Sequence, residues 1–425
     1  MKIIFYLEYF PPYQGSDRTI FELSKRMKGR NNHLYYVVVP PLRTLWEFNQ
    51  LGFKSERFKR FYYQSYNLNK KSFTKQDNVY RIQIPLWLLN FWKKHLKIAF
   101  VLTFFFNLLK SLSTFNKLKP HIVVINHPSP SSGLLAFFLC KIFRKPFLMG
   151  FPDMISTYAS DLIGLAATDY MSKILKRLET FLLLKSPKIF TINDFLKNYL
   201  ISLKFNKKNI VVVPNGVDIQ VFDYKKTGLN IRNEFSLQNA YIVLYVGHIE
   251  KWAGIEQIIS AANIIKSTNP EIKFLFVGEG MLYTEFKNSR HENLIFVGLQ
   301  PYAKVPEFIA CSDVAISIFP PSITSHAASP LKVFEYMAMG KPIITTDIAG
   351  LKNVLINNKN GIIIPSDDPR LIAEAILNLK NSEEIASGLG ENALKTIRQK
   401  YTWDESAKKL KSLCTNYIKE YYYLI

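Results

Sequence analysis

Cysteine is scarce in this sequence, and the few present are scattered. The 425-residue chain holds three, Cys140, Cys311 and Cys414, with no CxxC pair. That excludes a disulfide framework and fits a reducing compartment. Metal-ligand spacing is lacking as well: no HExxH or Cys/His cluster occurs, so no metal site is expected. Neither a GxSxG nor a P-loop is present. A GxGxxG is also missing. Gly278-Glu279-Gly280 follows a strand-like run, but Tyr283 stands where the third glycine belongs, which removes the main support for NAD binding. Long apolar runs are absent too. The longest, IAFVLTFFFNLL at 98–109, covers 12 residues and includes Thr103 and Asn107. A spanning helix needs about 20 apolar residues. The opening MKIIFYLEYF breaks its apolar run at Glu8, so it reads as a buried strand and not as a secretory signal.

Acids are scarce in one half only. Residues 1–217 hold 33 Lys+Arg against 11 Asp+Glu, whereas residues 218–425 hold 22 of each. The whole net charge of +22 therefore lies in the N-terminal half. Such a field draws polyanions: nucleic acid, anionic lipid or a phosphorylated substrate. No nucleic-acid reader motif accompanies it, so no nucleic-acid partner is expected. Ahead of the 98–109 run stand Trp87, Phe91, Trp92, Lys93, Lys94 and Lys97. That composition suits either an interfacial helix or a core helix with a basic outer face.

What the chain does have is a repeating alternation of short β-branched runs with longer amphipathic segments. The runs lie at 2–7, 33–39, 121–125, 146–150, 188–192 and 209–214, then at 241–247, 273–278, 293–298, 314–319, 342–346 and 361–365. Near-continuous apolar strands are buried on both faces, as in parallel sheets covered by helices. The pattern predicts two doubly wound, Rossmann-like α/β domains. Pro214, Asn215 and Gly216 break the sixth run where the charge balance changes, placing the boundary between 1–217 and 218–401.

The most informative stretch is SPLKVFEYMAMGKPII, residues 329–344. Ser329 is expected to cap a helix that starts at Pro330, runs through Met339 and stops at a left-handed Gly340. A helix N-terminus after a strand end faces the ligand crevice of an open α/β sheet and favours phosphate. Lys332 would add charge to a diphosphate. Glu335, one turn further, is either a ribose ligand or an exposed helix glutamate.

This stretch resembles the nucleotide-binding signature of the family 4 (group 1) glycosyltransferases, which retain anomeric configuration on a two-domain GT-B fold. The resemblance extends through MKIIFYLEYFPPYQGSDRTIFELSKRM (1–27), KPHIVVINHPSP (119–130), VVVPNGVD (211–218), LYVGHIEKWAGIEQII (244–259), FLFVGEG (274–280), the segment 293–320 and the closing 401–423. It implies an N-terminal acceptor domain facing a C-terminal nucleotide-sugar domain across a cleft, with a final helix, 402–425, returning to the first domain. It implies that Glu335 holds ribose hydroxyls. Gly298 and Leu299 would lie beside the base. Gly278 would line the donor crevice, and Ser329, Pro330, Leu331 and Lys332 would meet the diphosphate. Gly15 matches a loop that approaches the donor phosphate, with Ser16 where a second glycine is usual. Asp153 resembles an acidic position on the acceptor side. His127 is either another cleft residue or a plain loop histidine.

Three positions depart from the family pattern. Ala327 replaces the first of two glutamates eight positions apart, His248 replaces a usual Arg, and Ala253 a usual Lys. Lys251, Lys332 and His248 are the substitutes expected at the diphosphate, and Trp252 either lines the sugar pocket or is a core or interface aromatic. Without a carboxylate at 327, front-face transfer is expected over double displacement. Asp153, Lys332 and His127 are the catalytic candidates, and no cofactor or metal is expected. The donor is a nucleotide sugar. The acceptor is a glycan or a polyprenyl-diphosphate-linked sugar of capsule or O-antigen assembly, met by a cytoplasmic protein at the anionic inner face of the membrane. The rival readings are a non-catalytic scaffold with a degenerate donor site and an epimerase that needs no acceptor.

Overall fold

The apolar runs become strands because they can satisfy their backbone groups laterally while burying both faces. The computed structural model describes residues 1–8, 15–29, 32–39, 78–81, 95–154, 170–287 and 292–423. The chain divides into two compact units, residues 1–213 with 407–425, and residues 214–406. Trp87, Phe91, Trp92, Lys93 and Lys94 lie outside the described residues.

The first unit runs β1 (Lys2–Leu7), α1 (Gly15–Met27), β2 (His33–Val38), β3 (Val79–Arg81), α2 (Leu96–Leu118), β4 (Ile122–Ile125), α3 (Ser132–Ile142), β5 (Phe147–Phe151), α4 (Tyr170–Leu184), β6 (Ile189–Thr191), α5 (Asp194–Ser202) and β7 (Ile210–Val212). Its sheet has the order β3-β2-β1-β4-β5-β6-β7, and every pairing is parallel. Strand β3 was not anticipated: three residues around a single Val carry too little apolar signal, and only pairing with Tyr36, Val37 and Val38 makes them a strand. Helix α5 starts where the Asn193 side chain accepts from the Leu196 amide at 2.9 Å.

The second unit runs α6 (Leu229–Glu234), β8 (Tyr241–Val246), α7 (Ile255–Lys266), β9 (Ile272–Val277), α8 (Tyr283–Lys287), β10 (Leu294–Gly298), α9 (Val305–Cys311), β11 (Val314–Ser317), α10 (Ile323–Ala327), α11 (Leu331–Ala338), β12 (Ile343–Thr346), β13 (Ile362–Ile364), α12 (Pro369–Asn381) and α13 (Glu383–Lys400). Helix α14 (Trp403–Tyr423) closes the chain, and its residues from 407 onward group with the first unit. The second sheet has the order β10-β9-β8-β11-β12-β13, again all parallel.

Both sheets thus reverse their strand order once, between β1 and β4 and between β8 and β11. Such reversals open a crevice at the carboxyl ends of the strands. In the second unit, the entry to β8 and β11 is pinned by Arg232. It donates to both Asp313 carboxylate oxygens at 3.0 and 2.8 Å, and Asp313 accepts from the Ile242 amide at 2.7 Å. This charge-assisted pair, with both bonds made by one guanidinium nitrogen, holds the two strands that flank the reversal in one register.

Candidate functional site

The carboxyl ends of β8, β9 and β10 each finish on a glycine with positive φ: Gly247 at 140°, Gly278 at 140° and Gly298 at 82°. At Gly278 a side chain is excluded twice over. The φ is one that L residues rarely adopt, and a Cβ there would stand 1.9 Å from the Gly247 carbonyl oxygen. Gly278→Ala is therefore expected to cost on the order of 3 kcal/mol, measured by denaturant unfolding, because the strain sits on backbone that cannot yield. The stripped strand ends leave bare backbone facing the crevice.

Helix α11 enters the same place from β11. It begins at Leu331 with Pro330 as its cap and no side-chain capping bond, one residue later than expected from Ser329 and Pro330. The shift has a cause: Ser329 is buried and its carbonyl accepts from the Asn215 Nδ2 at 2.8 Å, which keeps it outside the helix. The helix ends at Ala338, with Met339 as its cap and Gly340 in the left-handed region at φ 65°.

Two side chains of α11 turn to the glycine-edged crevice. The Lys332 ammonium sits 3.9 Å from the Tyr245 ring centroid. It also lies so close to Gly247 that a Cβ there would be 2.8 Å from Nζ. Burial lowers its pKa from 10.5 to about 7, opposed by nearby Glu335. By contrast, Lys341 at the other end of the signature donates to the Ala310 and Ser312 carbonyls at 2.9 and 2.6 Å, a structural task. Glu335 is only 8% exposed, so it is not a solvated helix glutamate. It accepts from the Tyr302 hydroxyl at 2.9 Å, just past the end of β10. One further tyrosine ties the helix to β8, and another braces the turn that follows the strand. The Val246 amide donates to the Tyr336 hydroxyl at 2.8 Å, and the Tyr245 hydroxyl donates to the His248 carbonyl at 2.7 Å.

The other donor-side candidates fall around this core. His248 is half-buried, with its ring 6.2 Å from that of Trp252. Trp252 is 39% exposed, so it is not a core aromatic. Lys251 is exposed in the turn before α7. Leu299 is exposed beside buried Gly298, and Leu331 is half-buried at the start of α11. Ala253 and Ala327 are both buried apolar packing positions. Gly15 and Ser16 are the first residues of α1, and the residues before them, 9–14, lie outside the described residues.

In the first unit, His127 and Asp153 follow the adjacent strands β4 and β5. His127 is buried, and burial alone pushes its pKa down to about 3. It is therefore neutral at physiological pH and offers a hydrogen bond, not a charge. Asp153 is half-buried. A third group was not picked out from sequence. Glu8, directly after β1, accepts from Ser131, closely, and from the Ser132 hydroxyl at 3.5 Å. The Ser129 hydroxyl is 3.0 Å from that of Ser132, completing the cluster. Burial raises the Glu8 pKa, and the serine hydroxyls, Ser131 first, pull it back down. The only sequence signal was an acid ending an apolar strand, and the partners lie more than a hundred residues away. Among the described residues no group of three His, Cys, Asp or Glu could hold a metal ion.

This geometry can be set beside known proteins. The family profile "Glycosyl transferases group 1" matches residues 229–396, and "Glycosyltransferase Family 4" matches residues 13–221. Capsular polysaccharide biosynthesis glycosyltransferase CapM of Staphylococcus aureus is 25% identical over 326 residues, covering 74% of this chain and 81% of its own. Uncharacterized glycosyltransferase MJ1069 of Methanocaldococcus jannaschii is 22% identical, with 97% and 98% covered. Among solved structures, Alr3699/HepE of Anabaena, in complex with UDP and glucose, superposes with a TM-score of 0.69 at 14% identity, covering 98% of this chain and 99% of its own. Sucrose-phosphate synthase of Thermosynechococcus elongatus gives 0.69 at 16% identity and 98% of each chain. Two parallel doubly wound units, a glycine-edged crevice with Glu335 and Lys332 on its signature helix, and matches that together run from residue 13 to 396 place this chain among the group 1 glycosyltransferases of GT-B fold, nucleotide-sugar-dependent enzymes.

Proposed function

We propose that the protein is a retaining glycosyltransferase of cell-surface polysaccharide assembly. It moves a sugar from a nucleoside-diphosphate sugar to a hydroxyl of a glycan or polyprenyl-diphosphate-linked acceptor. The observation that carries the donor half is the pairing of buried Glu335 with half-buried Lys332 on one helix at glycine-ended strands. A carboxylate fits a ribose diol, and an ammonium at a helix start fits a diphosphate. The capsular relative supports a capsule context, and O-antigen assembly is the other polysaccharide context in this reading.

The chemistry follows from what stands near the reacting groups. Ala327 is buried and offers no nucleophile, which favours front-face transfer. The departing diphosphate gathers negative charge as an oxocarbenium-like centre forms. Lys332 and the α11 N-terminus meet that charge, with Lys251 and His248 in support. The acceptor hydroxyl gives its proton to the leaving phosphate. Asp153, Glu8 and neutral His127 orient acceptor hydroxyls at the ends of β1, β4 and β5. The reaction needs no metal or other cofactor in this reading, and the excess charge of the first half supports an acceptor presented at an anionic membrane surface on the cytoplasmic side.

A thermal-shift screen against UDP, GDP, ADP, CMP and their common sugars tests the donor half. One nucleotide is expected to raise the Tm and so identify the base. No shift with any of them would favour a scaffold whose donor site has decayed at positions 248, 253 and 327.

A further inference from the structure

Helix α2 has its polarity inside out. Its exposed stripe is apolar: Ile98 is 56% exposed, Val101 48%, Leu102 39%, Phe105 55% and Leu109 67%. These positions fall at i, i+3, i+4, i+7 and i+11, one face of the helix. The opposite, core-facing side carries buried Thr103, Asn107 and Ser111 along with Ala99, Phe115 and Leu118. A helix lying against water would place these sets the other way round. Over 98–109 the exposed positions are apolar, and Lys110, next in the helix, is exposed beside them.

The stripe does not stand alone. Phe138 and Ile142 on α3 are 42% and 55% exposed, and Phe181 and Leu184 on α4 are 41% and 59% exposed. Aromatic rings link the three helices without a break. Phe104 lies 6.0 Å from Phe138, which lies 5.7 Å from Phe137, which in turn lies 5.7 Å from Phe181. Phe137 itself is buried, so these contacts tie the helices together beneath the exposed side chains; exposed apolar side chains grouped on neighbouring helices mark an interaction site.

Charge names the partner. From residue 96 to 142 there is no Asp or Glu, and there are five lysines. The Lys110 ammonium lies 5.7 Å from the Phe106 ring and that of Lys141 5.6 Å from the Phe137 ring, so both stand at the edge of the apolar surface with their stems along it. On α4, Lys173, Lys176, Arg177 and Lys185 at its end are exposed, while its one acid, Glu179, is buried. No helix among the described residues is long and apolar enough to cross a membrane. Two copies of this face would set lysines against lysines.

We infer that the α2–α3–α4 face docks on an anionic lipid bilayer, its Phe and Leu side chains entering the acyl boundary and its lysines meeting the headgroups. The inference rests on the reading of a membrane-presented acceptor and gives it a location. It also explains why the basic charge is confined to the first unit.

The test is co-sedimentation of the full-length protein with phosphatidylcholine vesicles, with and without phosphatidylglycerol, in the absence of nucleotide. Binding is expected to the anionic vesicles and to weaken as salt is raised. Phe105→Ser with Leu109→Ser is expected to weaken it about tenfold or more, since two exposed apolar anchors are lost. The unfolding temperature and the nucleotide thermal shift should be kept in that variant. The shift reports the donor site separately, so failure of docking and failure of the glycosyltransferase reading are distinguishable. Absence of binding at low salt, or unchanged binding by the double variant, would overturn the inference. So would light scattering that shows a wild-type dimer made monomeric by the two serines, which would assign the face to a second copy.

Discussion

Glu335→Ala is expected to abolish the thermal stabilisation that the cognate nucleoside diphosphate gives the protein and to weaken its binding by roughly 30- to 150-fold. The estimate follows from the loss of a charged acceptor toward a hydroxyl pair, worth about 2–3 kcal/mol. Two features make the loss large. The carboxylate is only 8% exposed, so water replaces it poorly, and its removal also takes away the acceptor to which the Tyr302 hydroxyl donates at 2.9 Å. Glu335→Gln keeps the shape and an acceptor oxygen but trades the other for a donor. It should lose about tenfold and unfold near the wild-type temperature. Calorimetric titration of both variants separates these cases. Equal affinity in wild type and Glu335→Ala for a nucleotide that binds the wild type would remove Glu335 from the site.

The second large effect concerns Lys332 and has a pH signature. Its pKa falls from 10.5 in the unfolded chain to about 7 in the folded one, with burial as the cause. Between those values the unfolded chain holds the proton and the folded chain does not. Stability therefore rises with pH from about 7 to 10.5, and below 7 the cost of the buried ammonium is present in full. Lys332→Met removes that cost. It should raise the unfolding temperature of the ligand-free protein, most clearly at pH 6, while it cuts kcat by 100-fold or more through loss of charge at the leaving diphosphate, on the order of the effect of removing one transition-state donor.

Donor binding carries the same signature with the opposite sense. A diphosphate selects the protonated lysine, so above pH 7 binding must take up a proton. Affinity should fall by up to about tenfold per pH unit there, and calorimetry in buffers of different ionisation enthalpy should report the proton. Lys332→Arg should flatten this pH profile but bind less tightly. The space beside Gly247 fits an ammonium, with Nζ 2.8 Å from where a Cβ on Gly247 would stand. Affinity for the nucleotide that is constant from pH 6 to 9 in the wild type would show that another cation holds the phosphates. Lys251 and His248 are then next in line.

The face on α2 and the crevice on α11 teach the same point about reading a chain. Twelve strands could be placed from sequence because a β-branched apolar run states its own secondary structure and its own burial. The signature helix could be placed to within a residue because Pro330 and Gly340 punctuate it locally. Glu335 could be singled out because a lone acid in an apolar helix conflicts with its neighbours. All of these are short-range facts, carried by residues within a turn or two of each other.

Tertiary structure alone decided the rest. It set the partner of Glu335, Tyr302, 33 residues earlier, and it brought Tyr245 under the Lys332 ammonium. It made a half-buried cluster from Glu8 and serines 123 and 124 residues away. It also chose which side of α2 faces the core. Periodicity shows that a helix has two faces, but when one holds Thr103, Asn107 and Ser111 and the other Phe105 and Leu109, hydrophobicity names the wrong one as buried. The sequence determined the elements, because local propensity and patterning act within each segment. The fold decided what each charged or apolar group faces, because burial and desolvation depend on neighbours that only distant parts of the chain supply.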